Sequence, residues 1–550
     1  MVLFLLFFLA FSPAAPRVEE PMAAPRKDSV AAFMRNRFAC LLGLDASSGR
    51  KDRRTATKQL ALWYAARGYR PVWTSQHLRA ELLSAVNSAV DDGLQPSDYH
   101  HADIVHYLQH PPVGIGEQAR CDILLTDAML SLATHLRYGK VDPERLDPNW
   151  NLTDPKRLTE LQLKLRTALE SGSSIRSALQ EMRPEYFKYG LQREALARYR
   201  LIEQSGGWPV VPGGVAIRPG ASDPRVPLIR RRLSVTDDFE GMGDNSSTVL
   251  DSALSAALRN FQKRHALMVD GVAGSATLAA MNVPARDRVW QLRVNLERYR
   301  WFVGKLEPTY VLVNIAGFSL QYVHEGLWRW GTRVIVGKPY RKTPVFKADI
   351  QSVLLNPRWV IPPTILAEDA LPAIRRDLGY LNRKQLQVID SKGRVIDPAS
   401  VNWSALRASG FPYRLRQRAG DHGALGRIKF VMPNSHIVYL HDTPTKDLFE
   451  KNTRTFSSGC IRVENPVRLA ELVLDDSVKW NEASIRAAIG TKKTRAVALP
   501  RRVPVFILYL TAVAEKGRVL FLEDIYHRDG AVLKALNTPT QKLTLESCGF

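Results

Sequence analysis

Apolar positions along this chain change texture twice. From Ala56 to about Arg200 they recur at helical spacing, as in Leu60, Leu62, Trp63 and Ala66. Ile123, Leu124, Ala128, Met129, Leu132 and Leu136 predict one long buried helix, stopped by Gly139 with Arg137 and Lys140 near its end. A Gly/Pro-rich break from Ser205 to Gly220 separates this region from a compact helical unit over about Pro227–Met281. Beyond Trp301 the pattern turns to β-branched runs between Gly, Pro and Asn. The segments starting at Tyr310, Val334, Ser352, Lys429, His436 and Pro504 read as strands, and Pro466 to Leu474 as a helix. Between about Trp359 and Arg418 the chain is helical and basic, and reads as an insertion in the strand-rich part. No repeat of 20–50 residues occurs.

The N-terminus has its own pattern. Val2 to Phe11 is one apolar run, followed by the small residues Ser12, Ala14 and Ala15. This reads as an export signal over residues 1–14, cut after Ala14 or kept as an anchor. The run is far short of the roughly 20 residues that span a bilayer. Residues 15–54, rich in Ala, Pro and charge, read mainly as a linker.

Composition narrows the partner class. The chain has 550 residues, enough for several cores without a disulfide framework. Lys plus Arg number 77 against 54 for Asp plus Glu, a net charge of +23. That excess points to a polyanion: nucleic acid, an anionic membrane surface or an anionic wall polymer. Export conflicts with nucleic acid, and no nucleic-acid motif appears. The four cysteines, Cys40, Cys121, Cys460 and Cys548, include no CxxC pair, which excludes a zinc ribbon. A disulfide among Cys40, Cys121 and Cys548 is open. His100, His101, Asp103, His106 and His110 cluster in sequence, but Pro111 ends the segment and no HExxH glutamate is present. They read as a solvated helix face. No metal or cofactor is expected.

The candidate chemistry lies between residues 436 and 462. A strand pattern ends in Tyr439-Leu440-His441-Asp442, and Cys460 follows nineteen positions after His441, within Ser457-Ser458-Gly459-Cys460-Ile461-Arg462. A free thiol is only a few per cent ionised at neutral pH, so a nucleophilic cysteine needs a base and a cationic setting. Arg454 and Arg462 are the candidate cations, and Gly459 permits close backbone approach. Amides beside the nucleophile suit a tetrahedral oxyanion. The residues point to acyl transfer through a thioester.

His441-Asp-Thr-Pro, Phe449, Arg454 and Ser457-Ser-Gly-Cys-Ile-Arg-Val together resemble the catalytic signature of the L,D-transpeptidases of YkuD type. Val336-Gly-Lys-Pro-Tyr-Arg-Lys-Thr-Pro-Val-Phe, Leu355-Asn-Pro-Arg-Trp-Val-Ile-Pro-Pro and Ala424-Leu-Gly-Arg-Ile-Lys-Phe resemble the large periplasmic, YcbB-like subgroup. The resemblance implies a multi-domain α+β protein. It would have a helical scaffold over 55–210, a three-helix peptidoglycan-binding module over 222–284 and a β-rich catalytic domain over 300–490. A helical capping insertion would span about 357–420, and an extension over 500–550 would return to the scaffold. In the binding module, Phe261, Leu267 and Leu278 would be core, Asp270-Gly271 the turn, and Ser275 or Thr277 the cap after Gly274.

The resemblance also implies roles. Cys460 is the nucleophile and His441 its base, oriented by the Asp442 carbonyl. The amides around Ser458, Gly459 and Cys460 form the oxyanion hole, and Tyr439, Arg462 and Arg454 line the site. The donor would be a peptidoglycan tetrapeptide stem losing D-Ala to give a 3→3 cross-link in the periplasm, and carbapenem β-lactams would be inhibitors. Two departures stand out. Ser458 replaces the histidine of many members, and Ala419-Gly-Asp-His-Gly differs from the usual loop, leaving His422 near the site or in that loop. An L,D-carboxypeptidase with the same Cys/His site, and a non-catalytic wall-binding protein, are the alternatives.

Overall fold

The computed structural model describes residues 29–47, 51–147, 150–152, 158–240, 246–302, 304, 306–417, 423–540, 543 and 545. The segment of residues 1–14, His422 and Cys548 lie outside them. Among the described residues no helix is long and apolar enough to cross a membrane.

Helices from Val30–Ser47 to Ile175–Gln180 share one apolar core built around Gly114–Tyr138, in which Leu125, Ala128, Met129 and Leu132 are wholly buried. Gly139 ends that helix with φ 89°, a left-handed value that favours glycine. Residues 15–54 are more than a linker. Val30–Ser47 is helical and places Met34 and Phe38, four apart, in this core, and the next helix already starts at Lys51. Flanking Ala, Pro and Arg hide that short apolar stripe in the sequence. Cys40 is disulfide-bonded, whereas Cys121 is a free, buried thiol.

Three helices, Val226–Ser234, Ser252–Arg264 and Ser275–Met281, form a small module with its own core of Ile229, Leu233, Leu258, Phe261 and Leu278. Leu267 is only half-buried and stays outside it. The third helix is capped by Gly274 without a side-chain bond, so neither Ser275 nor Thr277 caps it. Thr277 instead lies buried against the Gln262 amide at 3.2 Å.

Helix Ala285–Phe302 is the spine between these parts. From Leu292 to Phe302 it is enclosed on all sides although it carries Arg293, Glu297, Arg298 and Arg300. Glu297 has no exposure; it pairs with Arg300 and accepts the Val141 amide at 2.6 Å. Arg300 in turn donates to Tyr189 Oη and to the Asp92 carbonyl, each at 2.9 Å. Arg298 pairs with Asp529 at 2.6 Å and so ties the C-terminal helix Asp529–Asn537, whose Val532 and Leu536 enter the scaffold core.

The strands run β1 (Tyr310–Asn314), β2 (Ser319–His324), β3 (Leu327–Gly337), β4 (Phe346–Leu355), β5 (Leu386–Ile389), β6 (Val395–Ile396) and β7 (Arg414–Gln417). Then come β8 (Ile428–Val431), β9 (Leu440–His441), β10 (Thr455–Ser457), β11 (Ile461–Val463), β12 (Arg495–Leu508), β13 (Ala512–Glu515) and β14 (Arg518–Phe521). Nine of them form the main sheet in the order β10-β3-β11-β9-β8-β4-β12-β1-β2, and a β2–β3 pairing closes that order on itself. Between β4 and β8 the insertion folds around its own core of Leu371, Ile374, Leu381, Val388, Trp403 and Leu415. It is not purely helical, because β6-β5-β7 make a three-stranded sheet within it. The β13–β14 hairpin docks on helix Phe187–Gln204, where Gln192 accepts the Ala514 amide at 2.9 Å.

Removing one partner of the Glu297–Arg300 pair leaves a buried charge uncompensated. Glu297→Leu is expected to destabilise the protein by about 3–5 kcal/mol, and Glu297→Leu with Arg300→Met to recover most of that loss, as read by thermal unfolding.

Candidate active site

β9 and β11 are short parallel neighbours, with Ile461 opposite Leu440 and Arg462 opposite His441. β8 lies antiparallel on the other side, with Lys429 opposite His441. Phe430, Leu440 and Ile461 point into the core and have no exposure. The alternate positions, Lys429, His441 and Arg462, therefore share the opposite face.

Cys460 sits in the turn between β10 and β11. Gly459 precedes it with φ 112°, in the region that favours glycine. Ser457 shapes the turn: its hydroxyl donates to the Cys460 carbonyl at 2.5 Å and accepts the Gly459 amide at 3.1 Å. The Gly459 amide is thus already committed, contrary to its expected oxyanion role. Ser458 is exposed, and its hydroxyl meets Arg341 Nη1 at 3.0 Å.

The Cys460 thiol donates to the Ile437 carbonyl at 3.8 Å; among the described residues no hydrogen bond joins it to His441. Such contacts are often long before substrate arrives. Ile437 has φ 55°, a strained value for a β-branched residue. The Asn434 side chain holds this turn, accepting the His436 amide at 3.1 Å and donating to the Val438 carbonyl at 2.8 Å. The expected strand from His436 accordingly shrinks to Leu440–His441.

His441 is 4% exposed, and its Nδ1 lies 2.5 Å from the Asp442 carbonyl. A carbonyl only accepts, so Nδ1 carries the proton and Nε2 has the free lone pair. Burial, with Arg462 and Lys429 adding to it and Asp442 opposing, pulls the imidazole down to about 4. Asp442 is itself fixed. Its carboxylate meets Lys446 at 2.6 Å and the Arg427 amide at 2.8 Å, and a Cβ on Gly426 would fall 2.4 Å from it. Burial pushes the Cys460 thiol up, while a Tyr439 backbone hydrogen bond, Lys429 and Arg462 pull it down. Both shifts favour the uncharged forms, thiol and imidazole.

Tyr439 lines the site with Lys429 Nζ 3.5 Å from its ring centroid. Arg462 donates to Thr445 Oγ1 at 3.1 Å, and its Nε is buried without a partner. Arg454 does not join them: it lies over the Phe318 ring at 5.1 Å and donates to the Lys451 carbonyl at 2.7 Å. The cation that replaces it near the thiol is Lys429, visible in sequence only as the polar position of Ile428-Lys429-Phe430. Sequence reasoning also missed Thr343. Its hydroxyl donates to the Gly459 carbonyl at 2.9 Å and accepts the Gly337 amide at 2.9 Å. Tyr526 of the C-terminal extension braces the same loop, accepting the Thr343 amide at 3.2 Å and donating to the Gly337 carbonyl at 2.5 Å.

The insertion is fastened above the turn. Arg341, after β3, meets Glu368 at 2.6 Å and Asp369 at 2.6 Å in the insertion while also holding Ser458. A cavity of about 340 Å³ lies behind the Lys342–Thr343 loop, between Trp150, Trp301, Tyr509 and Arg528, and not at Cys460. The histidine cluster is not simply a solvated face. His100 is buried between Asp127 at 2.8 Å and Asp103 at 3.4 Å; burial opposes its charge, but the two carboxylates win and raise it to about 9. Among the described residues no group of His, Cys, Asp and Glu is arranged to hold a metal.

The buried imidazole sets a pH limit. Its folded value lies below the unfolded one of 6.5, so its contribution to stability is complete above about pH 6.5 and fades as pH falls towards 4. The loss of stability between about pH 6.5 and 4 is expected to be smaller in His441→Gln, as read by thermal unfolding; an equal loss in both proteins contradicts a buried neutral base. Thr343→Val strands the buried Gly337 amide and Gly459 carbonyl. It is expected to cost about 1–3 kcal/mol in thermal unfolding and to slow alkylation, with Thr343→Ser restoring both.

Comparison with known proteins agrees with this organisation. Residues 308–502 match the model of the L,D-transpeptidase catalytic domain (YkuD), residues 222–281 that of a putative peptidoglycan binding domain, and residues 58–196 that of a scaffold domain. A curated putative L,D-transpeptidase of Haemophilus influenzae is 41% identical over 219 residues, which span 40% of this chain and 44% of that protein, less than half its length. Among solved structures, an L,D-transpeptidase of Xylanimonas cellulosilytica aligns at 14% identity and TM-score 0.18, over 54% of this chain and 99% of that one. The Ldtfm–avibactam carbamoyl enzyme aligns at 13% identity and TM-score 0.18, over 37% and 49%. These two overlays add nothing to the match of the domain models. Residues 308–502 therefore match an L,D-transpeptidase catalytic domain, preceded by regions that match a scaffold domain and a putative peptidoglycan binding domain.

Proposed function

We propose that the protein is an exported, periplasmic peptidoglycan L,D-transpeptidase working through a thioester on Cys460. The observation that carries this reading is the locked His441 ring. Its Nδ1 is bound to the Asp442 carbonyl, and its bare Nε2 belongs to the sheet face beside the cysteine turn.

The thiol proton passes to Nε2 as sulfur attacks the carbonyl of the third residue of a tetrapeptide stem. The S–C bond forms, the peptide C–N bond breaks, and the imidazolium protonates the leaving D-Ala amine. The Cys460 amide receives the oxyanion, since the Gly459 amide is already bound to Ser457. An amine from a second stem then attacks the thioester and gives up its proton to Nε2; the C–N bond of a 3→3 cross-link forms and the thiol is released. The insertion, clasped by Arg341, limits the access of water that would hydrolyse the thioester. The three-helix module holds the polymer near the site.

Incubation with a carbapenem is expected to add one inhibitor mass to the protein and none to Cys460→Ala. With tetrapeptide stems, muropeptide analysis is expected to show 3→3 dimers and released D-Ala. No adduct, or an adduct that persists in Cys460→Ala, overturns the reading; tripeptide without dimers overturns transfer in favour of hydrolysis.

A further inference from the structure

Lys429, His441 and Arg462 occupy one register across β8, β9 and β11, so a single row on the face opposite the Phe430, Leu440 and Ile461 core reads cation, imidazole, cation. Strands about 4.8 Å apart put the two outer positions roughly 10 Å from each other. The row faces the Cys460 turn. Burial lowers the charge affinity of both cations, and the field of Cys460 acts against that in each case.

Neither cation is neutralised within the protein. Among the described residues Lys429 has no carboxylate within ion-pair distance, and its ammonium rests on the Tyr439 ring at 3.5 Å. Arg462 is bound to a hydroxyl, Thr445, and its buried Nε has no partner. The neighbouring acid, Asp442, is taken by Lys446 and a backbone amide. Elsewhere buried cations are either paired with a carboxylate, as with Arg298–Asp529 and Arg300–Glu297, or bonded through several donors to neutral oxygens, as with Arg232 and Arg293. Two half-buried cations without a counter-charge are unfavourable unless an anion arrives from outside. The cation–π contact keeps the Lys429 ammonium in place without consuming its hydrogen-bond donors.

We propose that Lys429, with Arg462 on the other side of the imidazole, forms a carboxylate-receiving subsite beside Cys460, and that Lys429 selects acyl donors bearing a free carboxylate next to the bond under attack. The inference rests on the reading of Cys460 as the nucleophile and extends it to the charge of the donor. A carboxylate in this place is held against the ammonium, which fixes the neighbouring carbonyl over the sulfur and disfavours donors whose terminus is amidated.

The test uses the full chain and two alkylating probes of similar size, iodoacetate and iodoacetamide, with intact-mass readout and Cys460→Ala as the blank. Relative to N-acetylcysteine, Cys460 is expected to favour iodoacetate over iodoacetamide by about tenfold, the effect of one charge-assisted contact. In Lys429→Gln the iodoacetate rate should fall about tenfold more than the iodoacetamide rate, and Lys429→Arg should restore the preference. Equal slowing of both probes in Lys429→Gln, or no preference in the native protein, overturns the subsite. These probes need no peptide. A protein that shows the preference but forms no acyl-enzyme therefore keeps the subsite and loses the proposed reaction. With peptide donors, Lys429→Gln should raise KM for a free-carboxylate tetrapeptide about tenfold more than for its amidated counterpart; an equal change in both overturns the selection.

Discussion

The hydrogen bond from His441 Nδ1 to the Asp442 carbonyl decides which ring nitrogen is left to accept a proton, and much of the surrounding structure serves to keep it. The bond is made within one pair of adjacent residues, so its geometry depends on where the Asp442 backbone is held. That backbone is anchored at its amide by Ile428, and the side chain is anchored by Lys446 and the Arg427 amide. Gly426 leaves the room this requires, since any side chain there would collide with the carboxylate. Burial does the rest. It removes the water that would otherwise favour the imidazolium, and two neighbouring cations act in the same direction.

The other half of the site depends on remote parts of the chain. The Cys460 turn is braced by Thr343, Thr343 by Tyr526, and Tyr526 belongs to the extension whose last helix enters the scaffold core. The spine helix Ala285–Phe302 joins the same parts through buried Arg, Glu and Asn side chains. The Cys460 turn is in this way supported from a second domain. The Arg341 clasp adds a separate, half-exposed connection to the insertion, made of charge-assisted bonds to Glu368 and Asp369.

Cys460 and His441 stand out in the sequence as candidates because their chemistry is written in two short segments nineteen positions apart. The domain order was legible because the apolar period changes from helix to strand near Trp301. Lys429 was not, because its place beside the thiol arises from strand pairing between β8 and β9, which no local pattern records. Arg454 misled for the converse reason: it is near Cys460 in sequence, but β10 carries it towards Phe318. The spine helix escaped notice because its buried face is polar and several of its contacts, such as Glu297 with Val141 and Arg300 with Tyr189, are made far away in the chain. The Val30–Ser47 helix was hidden by a composition that resembles a linker, although Met34 and Phe38 are enclosed.

The central claim is a neutral, Nδ1-protonated His441 ready to take the thiol proton. An NMR titration of ring-labelled protein, assigned with His441→Gln, tests it directly. The account predicts an Nε2 signal of a bare, accepting nitrogen throughout the neutral range, with protonation only near pH 4. A bare Nδ1, or a ring that titrates near 6.5, would contradict it.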